Sequence, residues 1–159
     1  MFHSLLALLV SLLLVAATAS TGARFRPDEW YRQLQKPGWT PPDIVFPIAW
    51  GILYLLMAIA AWRIYMAEDS PFRTASLAVY GFQLIANAAW SWLFFGRKQI
   101  AAALVDIALL LGLLTLAIVL FANVSVLAAS LMVPYWLWVL LALTLNASVL
   151  LLNRGQGQS

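Results

Sequence analysis

The chain has 159 residues, of which 64% are hydrophobic and only 9% charged. Water-soluble domains carry roughly 25% charged residues, so the composition argues for a membrane protein, and apolar runs of about 20 residues each leave no length for a separate soluble domain. Zero cysteines and a single histidine, His3, exclude disulfides, thiolate chemistry and imidazole metal clusters. The net charge of +3 says little as an average, because nearly all charges lie between the apolar runs.

The first run, FHSLLALLVSLLLVAATASTGA, has no Lys or Arg before its apolar segment and is long enough to span. It therefore reads as a membrane helix over 2–22 and not as a secretory signal. The segment after it is unlike the rest of the chain. WYRQLQKPGWTPPDIVFPIAW holds Trp30, Trp39 and Trp50 together with Pro37, Pro41, Pro42 and Pro47. Prolines limit backbone freedom, so this loop can hold a shape without a core of its own. Further helices are expected over 44–66, 75–95 (stopped by Gly96-Arg97-Lys98), 100–121 and 126–152. Short connections make the later helices antiparallel neighbours.

The expected fold is thus an all-α integral membrane protein. It is a five-transmembrane-helix bundle forming a single domain over 1–159, with a long structured loop between the first two helices. Arg24, Arg26, Arg32, Lys36, Arg97, Lys98 and Arg154 fall on the side of the long loop and the C-terminus, while only Arg63 and Arg73 fall on the other. That bias places the loop and the C-terminus on the cytoplasmic side of a multi-pass protein. No internal repeat of the kind found in many secondary transporters is visible.

Polar residues within spans are costly and therefore informative. Asp106 is the one carboxylate expected within a span. Gln83, Asn87 and Ser91 form one stripe on the third span, and Trp138, Ala142 and Asn146 another on the fifth. Trp50, Asn87, Asp106 and Asn146 fall at one depth, roughly 9–12 Å below the loop-side surface at the helical rise per residue. Trp90 is slightly shallower; Tyr54 and Trp138 lie nearer the midplane. Four helices thereby direct aromatic and hydrogen-bonding groups into the half-membrane beneath the loop, the pattern of a pocket with a lid. Each residue also has a plainer reading. Trp30, Trp62 with Tyr65, and Trp92 fit interfacial anchors. Asn87 and Asn146 fit helix–helix hydrogen bonds as well as ligand contact. Asp106 fits a bond to a neighbouring helix or the loop. Pro47 and Pro134 fit kinks, and Ala108 with Gly112 a weak helix-contact spacing.

The combination KPGWTPP, then QLIANAAW, then PYWLW, with Asp106 in ALVDIALL between the last two, resembles the TspO/MBR family of translocator proteins and bacterial tryptophan-rich sensory proteins. The resemblance covers essentially the whole chain. It implies a five-helix bundle, commonly a homodimer, in a bacterial membrane here, with an apolar pocket closed by the first loop. It implies a receptor or sensor binding porphyrins such as protoporphyrin IX, with a role in tetrapyrrole regulation or stress response. Trp50, Tyr54, Asn87, Trp90, Asp106, Trp138 and Ala142 would line the pocket, with Trp39 and Phe46 in or beside the lid and Asn146 within reach of polar substituents. Alternatives are light- and oxygen-dependent porphyrin degradation through Trp50 and Trp138, and transport of tetrapyrroles or sterols. A structural or regulatory subunit role stays open. No resident cofactor, metal or nucleic-acid partner is expected; the porphyrin is a ligand and membrane lipid the surroundings. The animal sterol pattern needs a Tyr followed by a basic residue in the last span, where LTLNASVLLLNR has Ala147, which lowers the expectation of tight cholesterol binding.

Overall fold

The computed structural model describes residues 2–67 and 70–155. Five of its helices are long and apolar enough to cross a membrane. They are α1 (Phe2–Arg24), α3 (Val45–Met66), α4 (Arg73–Ser91), α5 (Ile100–Ala122) and α6 (Val126–Leu152), and the short α2 (Glu29–Gln33) lies in the long loop. The spans close into a ring in the order α1, α3, α6, α5, α4 and back to α1. With consecutive spans crossing in opposite directions, α1 and α4 are the only ring neighbours that run parallel. The interior is filled from every span: Val15 of α1, Met57 and Ile64 of α3, Tyr80 of α4, Leu110 and Phe121 of α5, and Met132 and Tyr135 of α6. Ala58, Ala60 and Ala61 are buried along α3, and side chains of that size let neighbouring helices approach closely where lipid supplies no hydrophobic drive.

Local chemistry sets the ends. Ser125 caps α6 by accepting from the Ala128 amide at 3.3 Å. Pro47 sits in the first turn of α3, where its missing N–H costs no ladder bond. Pro134 lies inside α6, and the helix continues through it although Ser130 loses its usual donor. Gly112 makes no tight helix contact, since a Cβ added there would meet nothing within 4 Å.

The third span ends differently from the simple stop expected at Gly96. After Ser91 it widens into a π-helical turn, Trp92–Gly96, closed by the Arg97 amide donating to the Trp92 carbonyl at 2.8 Å. Lys98, with φ 57°, takes the left-handed position that a glycine ordinarily fills. Gly96 serves a different need: a Cβ there would lie 2.9 Å from Phe25 Cδ1, so a glycine lets the end of α1 press against the turn.

The loop between α1 and α3 is folded against the bundle. Asp28 caps α2 through the Tyr31 amide at 3.2 Å, and its other oxygen meets Lys98 Nζ at 2.9 Å. Tyr31 packs edge-on to Phe94 and Phe95, and Trp30 packs edge-on to Phe94. Trp30 is therefore a packing residue of the loop more than a free interfacial anchor. Lys36 Nζ donates to the Tyr31 carbonyl at 2.6 Å and lies 4.3 Å from the Tyr31 ring centroid. At the far end the Gln35 amide donates to Asn153 Oδ1 at 3.0 Å, and Asn153 Nδ2 returns a bond to the Gln35 carbonyl at 2.9 Å. One side chain at the end of α6 thus satisfies both backbone groups of a loop residue.

Asn153→Ala removes both clasp bonds. Opening of the loop should rise roughly threefold to tenfold, read as faster tryptic cleavage after Arg32, while the helical circular dichroism stays unchanged. The Lys98 hydrogen bond, ahead of the opposing effect of partial burial, holds the Asp28 carboxyl below its usual value of 3.8. A lowered folded-state pKa gives stability that is full above the unfolded value and lost as pH falls through the folded one. Hydrogen-exchange protection of the Tyr31 amide should therefore be level above about pH 5 and fall below pH 3.8; protection that persisted there would sink the latch.

Candidate functional site

The third, fourth and fifth turns of α4 carry Gln83, Asn87 and Trp90, and all three meet side chains from other helices. Tyr54 of α3 donates from its hydroxyl to Asn87 Oδ1 at 3.0 Å. Asn87 Nδ2 donates to the Tyr135 hydroxyl of α6 at 2.6 Å, and that hydroxyl donates to Gln83 Oε1 at 3.0 Å. The Tyr135 phenol, accepting and donating, joins α6 to α4, and Asn87 carries the network on to Tyr54 of α3. Nearer the loop, Trp90 Nε1 donates to Asn146 Oδ1 at 3.1 Å, and Asn146 Nδ2 donates to the Ile100 carbonyl at 3.0 Å. Both asparagines thus act as interhelical joints in this state, the plainer of their two readings, while lying beside the aromatic wall.

The rings of that wall fall into three contact groups. Trp50 stacks on Tyr54 with ring centroids 5.2 Å apart and meets Tyr135 edge-on at 5.9 Å. Phe46, in the first turn of α3, meets Trp138 of α6 edge-on at 5.6 Å. Trp90 stacks on Phe94 at 5.3 Å, in the cluster that also holds Tyr31 of the loop. Ala142 is partly buried against the main core. Trp39 stands apart: it is 50% exposed and belongs to neither core cluster. Two buried polar atoms lack a partner among the described residues at this level, Asp106 Oδ2 and Gln83 Nε2. Asp106 is half-buried and makes none of the helix or loop bonds that would explain a carboxylate in a span. Gln83 is fully buried, with only its carbonyl used.

Sequence reasoning placed Gln83 on the polar stripe but did not select it, and it missed Tyr135. Its period was visible, since Tyr135, Val139, Ala142 and Asn146 recur at helical spacing, one turn deeper than the chosen Trp138. A groove of about 890 Å³ lies elsewhere, between α1, α3 and α4, with His3, Ser11, Thr18, Tyr65, Gly81 and Ala88 among its lining residues. None of the ten candidate residues borders it.

Fold and site together define a multi-pass helical membrane protein with an aromatic, hydrogen-bonded site beneath a folded loop. The sequence matches the TspO/MBR family over residues 6–152, and the chain belongs to that family. It is 39% identical over 142 residues to the protein CrtK of Rhodobacter capsulatus, covering 89% of each chain. It is 41% identical over 137 residues to a tryptophan-rich sensory protein of Cereibacter sphaeroides, covering 86% of this chain and 85% of that one. The translocator protein of Homo sapiens is 37% identical over 139 residues, covering 84% of this chain and 82% of the human one.

Tyr135→Phe keeps the ring and deletes the joint, leaving the Asn87 amide and the Gln83 carbonyl each short of a partner. A loss of about 1–2 kcal/mol is expected, read as a lowered unfolding midpoint in detergent. Asn87→Ala in the Tyr135→Phe background should then add less than it does alone.

Proposed function

We propose that this protein is a membrane receptor or sensor for a flat, lipophilic ligand of the porphyrin class, bound beneath the loop between α1 and α3. The observation that carries this reading is the ring group Trp50, Tyr54 and Tyr135, with Phe46 and Trp138 paired across the same two helices, beside the unpartnered Gln83 Nε2 and Asp106 Oδ2. Indole and phenol faces offer stacking area to a conjugated macrocycle, and a lone buried amide donor is a site for a ligand acceptor. Lys36 and the arginines of the loop side supply counter-charge for carboxylate substituents. No histidine or cysteine lies at the wall, so the ligand is held by stacking, without axial ligation of a metal. The names of the sensory and translocator relatives agree with a sensing role. The surplus of basic residues on the loop side favours a cytoplasmic loop and C-terminus.

A second reading, light- and oxygen-dependent breakdown of the bound porphyrin, rests on the contact of Trp50 with both Tyr54 and Tyr135. Such a cluster of oxidisable rings can supply electrons to an excited macrocycle. Nothing at the site resembles an acid–base pair or an activated nucleophile.

Metal-free protoporphyrin IX should quench the tryptophan fluorescence of the detergent-solubilised protein, and Trp138→Phe should weaken binding roughly fivefold, the value of one aromatic contact. Equal affinity in that variant counts against this site. Under illumination in oxygen, equal bleaching by the wild type and the Trp50→Phe/Trp138→Phe double variant would eliminate the breakdown reading and leave sensing in place.

A further inference from the structure

Two ring pairs set the register between the antiparallel helices α3 and α6: Phe46 meets Trp138, and Trp50 meets Tyr135. α3 begins at Val45, beside Phe46, whereas α6 continues past Trp138 to Leu152. That is roughly 21 Å more of α6 at the helical rise, with no part of α3 beside it. The gap this leaves in the ring of helices is crossed by the loop instead. Gln35 is clasped to Asn153 at the end of α6, and Val45 starts α3, so residues 36–44 form a strap from one helix to the other.

The chemistry of the strap suits the lipid interface. Non-helical backbone is costly beside lipid unless its polar groups are answered, and Pro37, Pro41 and Pro42 bring no N–H that needs an acceptor. The Thr40 amide and hydroxyl both donate to the Pro37 carbonyl, at 3.0 and 2.7 Å, and the Val45 amide donates to the Pro42 carbonyl at 2.9 Å. Trp39 is 50% exposed and Ile44 67%. They prolong the outward stripe of α3, where Ile48, Ile52 and Leu55 are exposed. Asp43, also exposed, holds the strap at the headgroup level, where an indole settles as well.

One ring closes the gap behind the strap. Among the described residues no hydrogen bond joins residues 37–44 to α6. Phe46 packs against the cluster that seats the loop and includes Leu145 and Val149 of α6. It also touches Trp138, which packs against the main core. Phe46 thus plugs the corner between strap, α3 and α6, and swinging it aside breaks ring contacts but no hydrogen bond.

We propose that this corner is a lateral door, through which a flat ligand dissolved in the bilayer passes edge-on to the aromatic site, with Phe46 as its gate. The proposal rests on the receptor reading and adds the route of entry. Trp138 stands behind the gate and Trp50 lies one turn deeper on α3. A lipid-dissolved molecule reaches both without crossing water, and without releasing the Asp28–Lys98 pair at the other end of the loop.

Stopped-flow quenching of tryptophan fluorescence by metal-free protoporphyrin IX, with the full chain in lipid nanodiscs, reads association and dissociation separately. Phe46→Ala should speed both about fivefold, the value of one aromatic contact, with little change in their ratio. Faster dissociation with unchanged association makes Phe46 a wall contact only and overturns the door. Lys98→Gln, which frees the start of the loop, should leave association unchanged; acceleration by Lys98→Gln and not by Phe46→Ala overturns the door in favour of entry from water. The chain has no cysteine, so a bimane label on the Trp39→Cys variant reports from one place. Nitroxide-bearing lipid should quench it, and quenching by aqueous iodide alone takes the strap out of the bilayer and overturns the proposal. Circular dichroism of each variant checks that it is folded. Absence of any porphyrin binding to the wild type defeats the receptor reading and the door together, whereas binding with association indifferent to Phe46→Ala defeats the door alone.

Discussion

The hydroxyl of Tyr135 is the point on which the interior is organised. A span surrounded by hydrocarbon has no water to satisfy a stray polar group, so each amide placed inside the bundle must be answered by another helix. The α4 stripe brings two amides inward, Gln83 and Asn87. A phenol is suited to serve both, because one oxygen accepts from one side and donates to the other. Tyr54 completes the arrangement from α3, and in doing so fixes the ring on which Trp50 stacks. The aromatic wall is therefore oriented by hydrogen bonds at its inner edge, and the geometry of ring contacts follows from them. Satisfaction stops short at the second amide group of Gln83 and at one oxygen of Asp106, and these are the places where the interior still has bonding capacity for something other than itself.

The loop above this interior is held by unlike interactions at separate points. An ion pair fastens the start of α2 to the turn after α4, aromatic edges seat its middle on Phe94 and Phe95, and a paired amide clasp fastens its end to α6. The ion pair is exposed and screened by salt, whereas the ring contacts depend on burial and the clasp on alignment. Solution conditions thus act on the fastenings selectively. The π-helical turn belongs to the same device: widening the end of α4 carries Phe94 inward to meet Tyr31, and the left-handed Lys98 brings its ammonium to Asp28.

Much of this was legible in the residues. Hydropathy and length fix five spans, and helical rise alone places Trp50, Asn87, Asp106 and Asn146 at one depth. The motif-bearing segments led directly to Trp50, Tyr54, Trp90 and Trp138, all of which join the wall or its hydrogen bonds. What escaped notice depended on partners. Tyr135 looks like one more aromatic beside a proline until the amides of α4 are set opposite it. Gly96 reads as a helix stop, but its lack of a side chain answers a ring some seventy residues earlier in the chain, while a lysine performs the stop. Trp39 is the reverse case, an indole in a conspicuous motif that the folded loop leaves half outside. The outer groove was invisible because short connections describe only antiparallel neighbours, and α1 meets α4 through closure of the ring.

The clasp between Gln35 and Asn153 joins residues 118 positions apart. As the chain is made from its N-terminus, the loop emerges after the first span, and the asparagine that fastens it follows the fifth. The Asp28–Lys98 pair and the Tyr31 ring contacts can form once the turn after α4 is made, so the start of the loop is seated before α6 brings Tyr135, Trp138 and the clasp. Completion of the α6 side of the wall and closure of the loop's far end are therefore one late event, carried by the same helix.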